Sequence, residues 1–457
     1  MTDHTRATLL LERIRTRRAR CGVVGLGYVG LPLAVEFARA GFTTVGIDLD
    51  ERKVRAINDG RSYIDDVPSQ TVADLRTNNR LSATASFDIV DDLDTINICV
   101  PTPLRKAKDP DLSFIVAAAE ATARHLHPGM LVILESTTYP GTTEELVLPI
   151  LERDGLKAGR DFFLAFSPER IDPGNKAYHT ANVPKVVGGM TPQCSELAAA
   201  LYGSAIETIV PVSSPSVAEM VKLLENTFRA VNIGLVNELA LMCDRLGIDV
   251  WEVVKAASTK PFGFMPFYPG PGLGGHCIPV DPFYLSWKAR QSGFEARFIE
   301  LAGAVNGNMP HYVVTLVADA LNCIQKSLNG SRILVAGVAY KRDVDDVRES
   351  PALDILTLLQ ERGASLSYSD PHVPELAGHL WKNGVDLRHV DFVTLPPGTF
   401  DCAVVITDHS AFDYGALQRT AAIVVDTRNA IRQPGPNVIR LGAARTRLAL
   451  ATEPLLA

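Results

Sequence analysis

Cys277 sits in Gly270-Pro271-Gly272-Leu273-Gly274-Gly275-His276-Cys277-Ile278-Pro279-Val280-Asp281, where glycines remove the side chains that would otherwise screen a thiol. A free cysteine is ordinarily a small buried apolar residue, but this flank offers little for a core to pack against. Asp281 follows four residues later. A helix beginning near Pro279 would turn thiol and carboxylate toward one opening. His276 is left a structural role, since side chains adjacent in sequence seldom aim at one another. Near the start of the chain, Gly25-Leu26-Gly27-Tyr28-Val29-Gly30 lies between a strand-like and a helix-like run. Its first glycine permits a tight turn, its second admits a pyrophosphate and its third allows close helix packing. A thiol nucleophile beside a hydride acceptor suggests oxidation carried past an aldehyde.

Asp48 ends the next strand-like run, eighteen residues after Gly30. A carboxylate there accepts both ribose hydroxyls and repels a 2′-phosphate, which favours NAD over NADP. Lys222 and Asn226 are four apart in a helical segment and share a face distinct from its apolar stripe. They either point at one substrate atom or form a solvated surface. Glu169, in Ser167-Pro168-Glu169-Arg170, follows a strand-like run and is either a group that activates water or a solvated loop carboxylate. Lys341 and Arg428 also follow strand-like runs, where they would supply cations to a diphosphate.

With 457 residues, the chain is long enough for two or three domains. Its hydrophobic share of 46% and charged share of 21% are those of a protein in solution, with no apolar run long enough for a membrane span. A net charge of -7 argues against a general nucleic-acid binder. The seven cysteines include no CxxC and form no paired framework, which fits a reducing, cytoplasmic setting and no structural metal. Cys21, Cys99, Cys402, Cys243 and Cys323 read as small core residues, and Cys194 as a loop or helix-start position. The basic segment 9–18 reads as a surface helix leading into the first strand, not as a secretory signal.

The elements that must position these groups follow an α/β rhythm. Strands are expected at 21–25, 43–47, 95–100, 131–135 and 162–166, the pattern of a parallel sheet with crossover helices. Right-handed crossovers put Pro101-Thr102-Pro103 and Ser136-Thr137 on the same edge as the glycine turn. A long helix follows, with Ser214 as N-cap, Pro215 at its first position and Val217, Met220, Val221, Leu224, Phe228 and Val231 at helical spacing to about Gly247. Asp249 opens a second helix. From Ser331 the rhythm resumes, with strands at 333–337, 365–369, 403–407 and 422–425 and a helix near Ser350-Pro351. The expected fold is α/β: two Rossmann-like doubly wound domains, 1–212 and 329–457, joined by a helical dimerisation segment, 213–328.

Over nearly its whole length the chain resembles the UDP-glucose/GDP-mannose dehydrogenase family, from the glycine turn to Val425-Asp426-Thr427-Arg428. Within it, Ser167-Pro168-Glu169-Arg170 and the run 260–272 are most similar to the bacterial enzymes acting on UDP-N-acetylglucosamine. The run from Phe262 to Tyr268 carries no arginine, whereas glucose-type enzymes have one there that reaches a neighbouring subunit's site. The resemblance implies oxidation of the sugar's C6 alcohol to a carboxylate by two NAD, with Cys277 as nucleophile. Lys222 and Asn226 would stabilise the oxyanion, Asp281 would move protons, and Thr137 and Glu169 would hold and activate water.

The same resemblance assigns cofactor contacts to Gly25, Gly27, Tyr28, Val29 and Gly30, and to Asp48, Lys53, Pro101, Thr102 and Thr137. Arg348 would reach the cofactor from the last domain. Glu169, Arg170, Lys222, Asn226 and Gly274 would touch the UDP-sugar, with Lys341 and Arg428 holding its nucleotide. Other substrates within reach are UDP-N-acetylgalactosamine, UDP-N-acetylmannosamine and UDP-glucose, and a different class is a non-catalytic NAD-binding regulator. The apolar long helix suggests a homodimer or a larger homo-oligomer.

Overall fold

The computed structural model describes residues 3–64, 66–103, 109–171, 177–275, 277–376 and 387–443. The chain divides into two compact units, one of residues 1–225 with 283–294 and one of 226–282 with 295–457. The expected middle segment is thus shared between them, and residues 444–457 of the expected last domain lie outside the described residues.

The first unit is built on an eight-stranded sheet of β1 (Arg20–Val24), β2 (Thr43–Ile47), β3 (Leu81–Thr84), β4 (Thr95–Ile98), β5 (Leu131–Leu134), β6 (Phe163–Phe166), β7 (Lys185–Gly189) and β8 (Ile209–Val212). Their order is β3-β2-β1-β4-β5-β6-β7-β8, parallel except where β7 meets β6. β4, β5 and β6 are buried at every residue because helices cover both faces, which is why they read as continuous apolar runs. The expected strands are present, and β3, β7 and β8 are additions. Two glycines and a lysine in β7 hide it from a β-propensity reading. The basic segment forms the helix Asp3–Arg15, which buries Ala7, Leu10 and Ile14.

The second unit carries β9 (Arg332–Ala336), β10 (Ser365–Ser369), β11 (Arg388–His389), β12 (Phe400–Val405), β13 (Ala421–Asp426) and β14 (Val438–Arg440). Their order is β11-β10-β9-β12-β13-β14, all parallel. The two sheets repeat one local design. A Cβ on Gly25, after β1, would lie 2.6 Å from the Cys99 carbonyl oxygen after β4, and one on Gly337, after β9, 2.4 Å from that of Thr407 after β12. Asp48 after β2 accepts the Leu26 N–H at 2.8 Å, and Asp370 after β10 accepts those of Val338 and Ala339 at 2.7 and 3.0 Å. Both halves therefore keep a glycine turn fastened by an aspartate, though their sequences show no evident identity.

The long helix runs Pro215–Leu246, with the Ser214 hydroxyl accepting the Val217 N–H, and Gly247 ends it at φ 70°. Its covered side mixes polar residues with Ala218, Leu223, Ala230, Val236 and Ala240. Val217, Met220, Leu224 and Phe228 are exposed, whereas Glu219, Lys222 and Asn226 are buried. The Lys222 and Asn226 face is therefore no solvated surface. Asp249 caps the helix Val250–Ala257 and Ser350 caps Pro351–Glu361, as their side chains predict.

Candidate active site

In the first unit, the ends of β1, β4, β5 and β6 put the glycine turn, the 99–103 loop, Thr137 and Glu169 on one sheet edge, the ligand-binding edge of such sheets. A Cβ on Gly30 would fall 1.8 Å from the Gly25 carbonyl oxygen, so helix and turn meet too closely for any side chain. A Cβ on Gly27 would meet nothing within 4 Å, which leaves the backbone there open to an anionic group. Asp48 is held by three donors: the N–H of Leu26, the N–H of Asp50 at 2.9 Å and the Lys53 ammonium at 3.0 Å. These residues fit a dinucleotide whose ribose approaches Asp48 and whose pyrophosphate lies at Gly27. Tyr28 is exposed and Val29 half-buried in the same turn. The Pro101-Thr102-Pro103 loop is fastened by the Tyr284 hydroxyl, which donates to the Thr102 carbonyl.

Thr137 follows β5 in a loop fixed from two sides. The Ser136 hydroxyl donates to the Val100 carbonyl at 2.7 Å. Glu219 of the long helix accepts the N–H groups of Gly141 and Thr143 at 2.6 and 2.9 Å, and the Thr143 hydroxyl at 2.7 Å. Burial pushes the Glu219 carboxyl up to about 7 against the pull of these donors. Two turns along, Glu225 binds the Arg170 guanidinium, whose other N–H reaches the Pro184 carbonyl at 2.7 Å. Lys222 lies between these two fastenings and is 8% exposed. Arg170, expected at the sugar, thus has its guanidinium engaged within its own unit.

Glu169 belongs to a buried ionic group that its loop position did not announce. Its Oε1 accepts the N–H groups of Arg170 and Ile171 at 2.7 and 2.8 Å, and its Oε2 receives the Lys185 ammonium at 3.1 Å. The same ammonium donates to Glu135 at 3.1 Å, and Glu135 also accepts from Asn97 and the Tyr202 hydroxyl. Burial alone would raise Glu169, but Lys185 and the two amides outweigh it and hold the carboxyl below the usual range. Glu135 goes the other way, raised by burial. Glu135, Lys185, Glu219 and Glu225 were not legible as site-shaping residues. The available signals were a lone charge opening the apolar run Lys185-Val186-Val187, and a glutamate one turn before Lys222.

In the second unit Cys277 is half-buried, not packed into a core. Its carbonyl accepts the N–H groups of Val280 and Asp281 at 3.0 and 2.8 Å. The helix begins at Asp281, two residues after Pro279, so the thiol stands on the turn before the helix Asp281–Gln291. Asp281 is 2% exposed and accepts from the Asn226 amide. The glycine stretch is tied down by a buried relay: Gly270 N–H to Asn237 at 2.9 Å, Asn237 to Asn306 at 2.8 Å, and Asn306 to the Ala230 carbonyl at 3.0 Å. A Cβ on Gly274 would lie 2.8 Å from Tyr340, and Gly275 takes φ 83° with its N–H on the Arg348 carbonyl. Glycine is therefore required there for packing and backbone conformation. His276 lies outside the described residues.

Lys341 and Arg428 follow β9 and β13 on one edge of the second sheet. The Arg428 Nε donates to the Ile406 carbonyl at 2.8 Å and its guanidinium lies against Gly270, where burial lowers its pKa. Arg348 is paired with Asp346 of its own loop at 2.6 Å. Cys21, Cys99, Cys402 and Cys243 are buried as expected, but Cys323, at a helix end, is exposed. Cys194 is buried early in the helix Pro192–Tyr202. Asp343, His372 and His409 cluster as metal ligands can. The His409 Nδ1 lone pair is already taken by the Asp343 N–H at 3.0 Å, with Nε2 on Asp370 at 3.0 Å.

Three segments match three domains of one family: the NAD-binding domain over 19–206, the central domain over 216–308 and the UDP-binding domain over 334–433. The chain is 38% identical to a UDP-N-acetyl-D-glucosamine 6-dehydrogenase from Pseudomonas aeruginosa, over 86% of this chain and 91% of that protein. It is 37% identical to an NDP-N-acetyl-D-galactosaminuronic acid dehydrogenase from Ralstonia nicotianae, over 89% and 95%. The solved structure of a UDP-D-ManNAc dehydrogenase from Pyrococcus horikoshii superimposes with a TM-score of 0.84 at 32% identity, covering 93% of this chain and 99% of that one. Among the described residues no helix is long and apolar enough to cross a membrane. With an NAD-binding sheet, a UDP-binding sheet and full-length relatives that oxidise nucleotide sugars by name, the chain belongs to the UDP-glucose/GDP-mannose dehydrogenase family.

Proposed function

We propose that the chain oxidises the C6 alcohol of UDP-N-acetylglucosamine to the carboxylate with Cys277 as nucleophile. The observation that carries this reading is the setting of Cys277, a half-buried thiol on a glycine-flanked turn that opens the helix of Asp281, itself bonded to Asn226. The choice of sugar is supported by relatives named for N-acetylglucosamine at 38% and 37% identity, against 34% for those named for N-acetylmannosamine, while the relatives named for N-acetylgalactosaminuronic acid, at 37% and 36%, make the galacto epimer the nearest competitor. The three-part division at 1–212, 213–328 and 329–457 is supported by the segments matched to the family's domains. The exposed stripe of Val217, Met220, Leu224 and Phe228 supports a homodimer through the long helix.

Two NAD, bound in turn, would supply the acceptors for the two hydrides that leave C6. Cys277 Sγ bonds C6 at the aldehyde level and stays bonded to the acid level, so no free aldehyde escapes. The C–S bond breaks when water adds, returning the thiol and freeing the carboxylate. Lys222 and Asn226 stabilise the oxygen on C6 as charge develops there. Asp281 relays protons, and Thr137 with Glu169 orders the water. Because Glu169 is held ionised, it acts there as a fixed acceptor. Lys341 and Arg428 hold the uridine diphosphate.

Purified enzyme supplied with single nucleotide sugars should form two NADH per UDP-N-acetylglucosamine, since alcohol to acid is a four-electron change. One NADH per sugar, or faster turnover of the galacto or manno epimer, sinks the reading. Asp48→Ala should raise KM for NAD by roughly tenfold or more, the size of a lost pair of charge-assisted hydrogen bonds. It should also raise turnover with NADP, because Lys53 loses its 3.0 Å partner and becomes available to a 2′-phosphate. Initial rates with both cofactors check this.

A further inference from the structure

We propose that Lys185 is a positioning residue for the reaction, holding the Glu169 carboxylate ionised and in one orientation at the sheet edge. The inference rests on the reading of Glu169 as the group that orders water or sugar. An ionised carboxylate offers about four lone-pair positions. On Glu169 two go to the N–H groups of Arg170 and Ile171 and one to Lys185. The one left, on Oε2, belongs to a side chain 13% exposed, so Glu169 presents a single acceptor position to a single partner.

Lys185 is itself fixed. Its side chain is 4% exposed, it opens β7, and its ammonium lies 5.3 Å from the centre of the Tyr202 ring. Glu135 is fully buried, and its bonds to Asn97, Tyr202 and Lys185 leave it out of reach of any ligand. Glu135 therefore serves to hold the lysine, and the lysine to hold Glu169. Among the described residues of the first unit, the charged and titratable groups in this cluster with Glu169 include Glu135 after β5, Lys185 of β7, Tyr202 of the helix Pro192–Tyr202 and Cys99 after β4. The neighbouring Arg170 is directed to Glu225. Lys185 is the cation that bonds both buried carboxylates; without it two anions face each other, and one takes up a proton.

The test is the titration of Glu169, followed by NMR of enzyme carrying glutamate labelled with carbon-13 at the carboxyl and assigned by its loss in Glu169→Gln. It is read beside the pH dependence of kcat. In Lys185→Met the Glu169 midpoint should rise by about one pH unit or more, and the acid limb of kcat should rise with it. KM for NAD should stay within about twofold, and Lys185→Arg should return both curves toward wild type. If Lys185→Met does not fold, Glu135→Gln with Lys185→Met removes the fully buried carboxylate together with its lysine, leaving Glu169 with its two backbone N–H donors, and a rise of the Glu169 midpoint is still expected. An unchanged midpoint in the folded variant, or a moved midpoint with an unmoved acid limb, overturns the proposal. The titration needs no sugar, so an enzyme that oxidises no nucleotide sugar would refute the assigned function while the NMR arm still decides the role of Lys185.

Discussion

Cys277→Ser should lower complete oxidation of the sugar by about 10³-fold or more while NAD affinity stays within about twofold. The two outcomes separate because the glycine turn, Asp48 and Lys53 belong to one unit of the chain and Cys277 to the other. Serine is close in volume, and Cys277 is half-buried on a turn, so neither a cavity nor a clash accompanies the change. What is lost is a thiol sulfur, a stronger nucleophile and a more readily deprotonated group than a serine hydroxyl. Steady-state NADH formation measures the first quantity and a calorimetric NAD titration the second. A serine variant within tenfold of wild type would remove Cys277 from the reaction, and a large loss of NAD affinity would mean that the substitution acted through the fold.

Glu219→Ala should lower stability by about 2–3 kcal/mol and slow turnover. Its carboxylate receives two backbone N–H groups and a hydroxyl in the loop that follows Thr137, and truncation leaves these buried donors without an acceptor. The same bonds hold that loop to the helix one turn before Lys222, so thermal unfolding and kcat should fall together. A pH signature accompanies the effect. Because burial lifts the folded-state carboxyl to about 7, the native state binds a proton that the unfolded chain releases near ordinary acid pH. Stability from this group is therefore fully present below the unfolded value and is lost as pH rises through about 7. At about 1.4 kcal/mol per pH unit the span is about 3 kcal/mol, and Glu219→Gln, which cannot titrate, should lack it. Denaturant midpoints for wild type and Glu219→Gln from pH 5 to 8 measure it, and parallel profiles refute it.

Local patterns carried the parts of this protein that are written within a few residues. The Gly25, Gly27 and Gly30 turn, the caps at Ser214, Asp249 and Ser350, and the runs that became β1, β2, β4, β5 and β6 each state their structure within one window of sequence. The long helix was equally legible as a helix, but its buried face was not. A 3.6-residue period says which residues share a side, not which side is covered, and here Glu219, Lys222 and Asn226 are covered together with Ala218 and Leu223, while Val217, Met220 and Leu224 are exposed. β7 and the extra strands beyond it escaped for a related reason, since pairing with a distant strand overrides weak local preference.

The sequence by itself determined the two Rossmann-like sheets, the cofactor turn and the candidate nucleophile, because each depends on backbone sterics or on a spacing of a few positions. Tertiary structure alone decided that Glu169 is a fixed anion and that Glu219 and Glu225 fasten the helix around Lys222. Those properties belong to groups such as Glu135, Glu169 and Lys185, which lie 16 to 50 residues apart and meet only when three strand ends converge. A charge in a chain has an ordinary pKa; burial and the partners folding brings to it set the one it has in the protein.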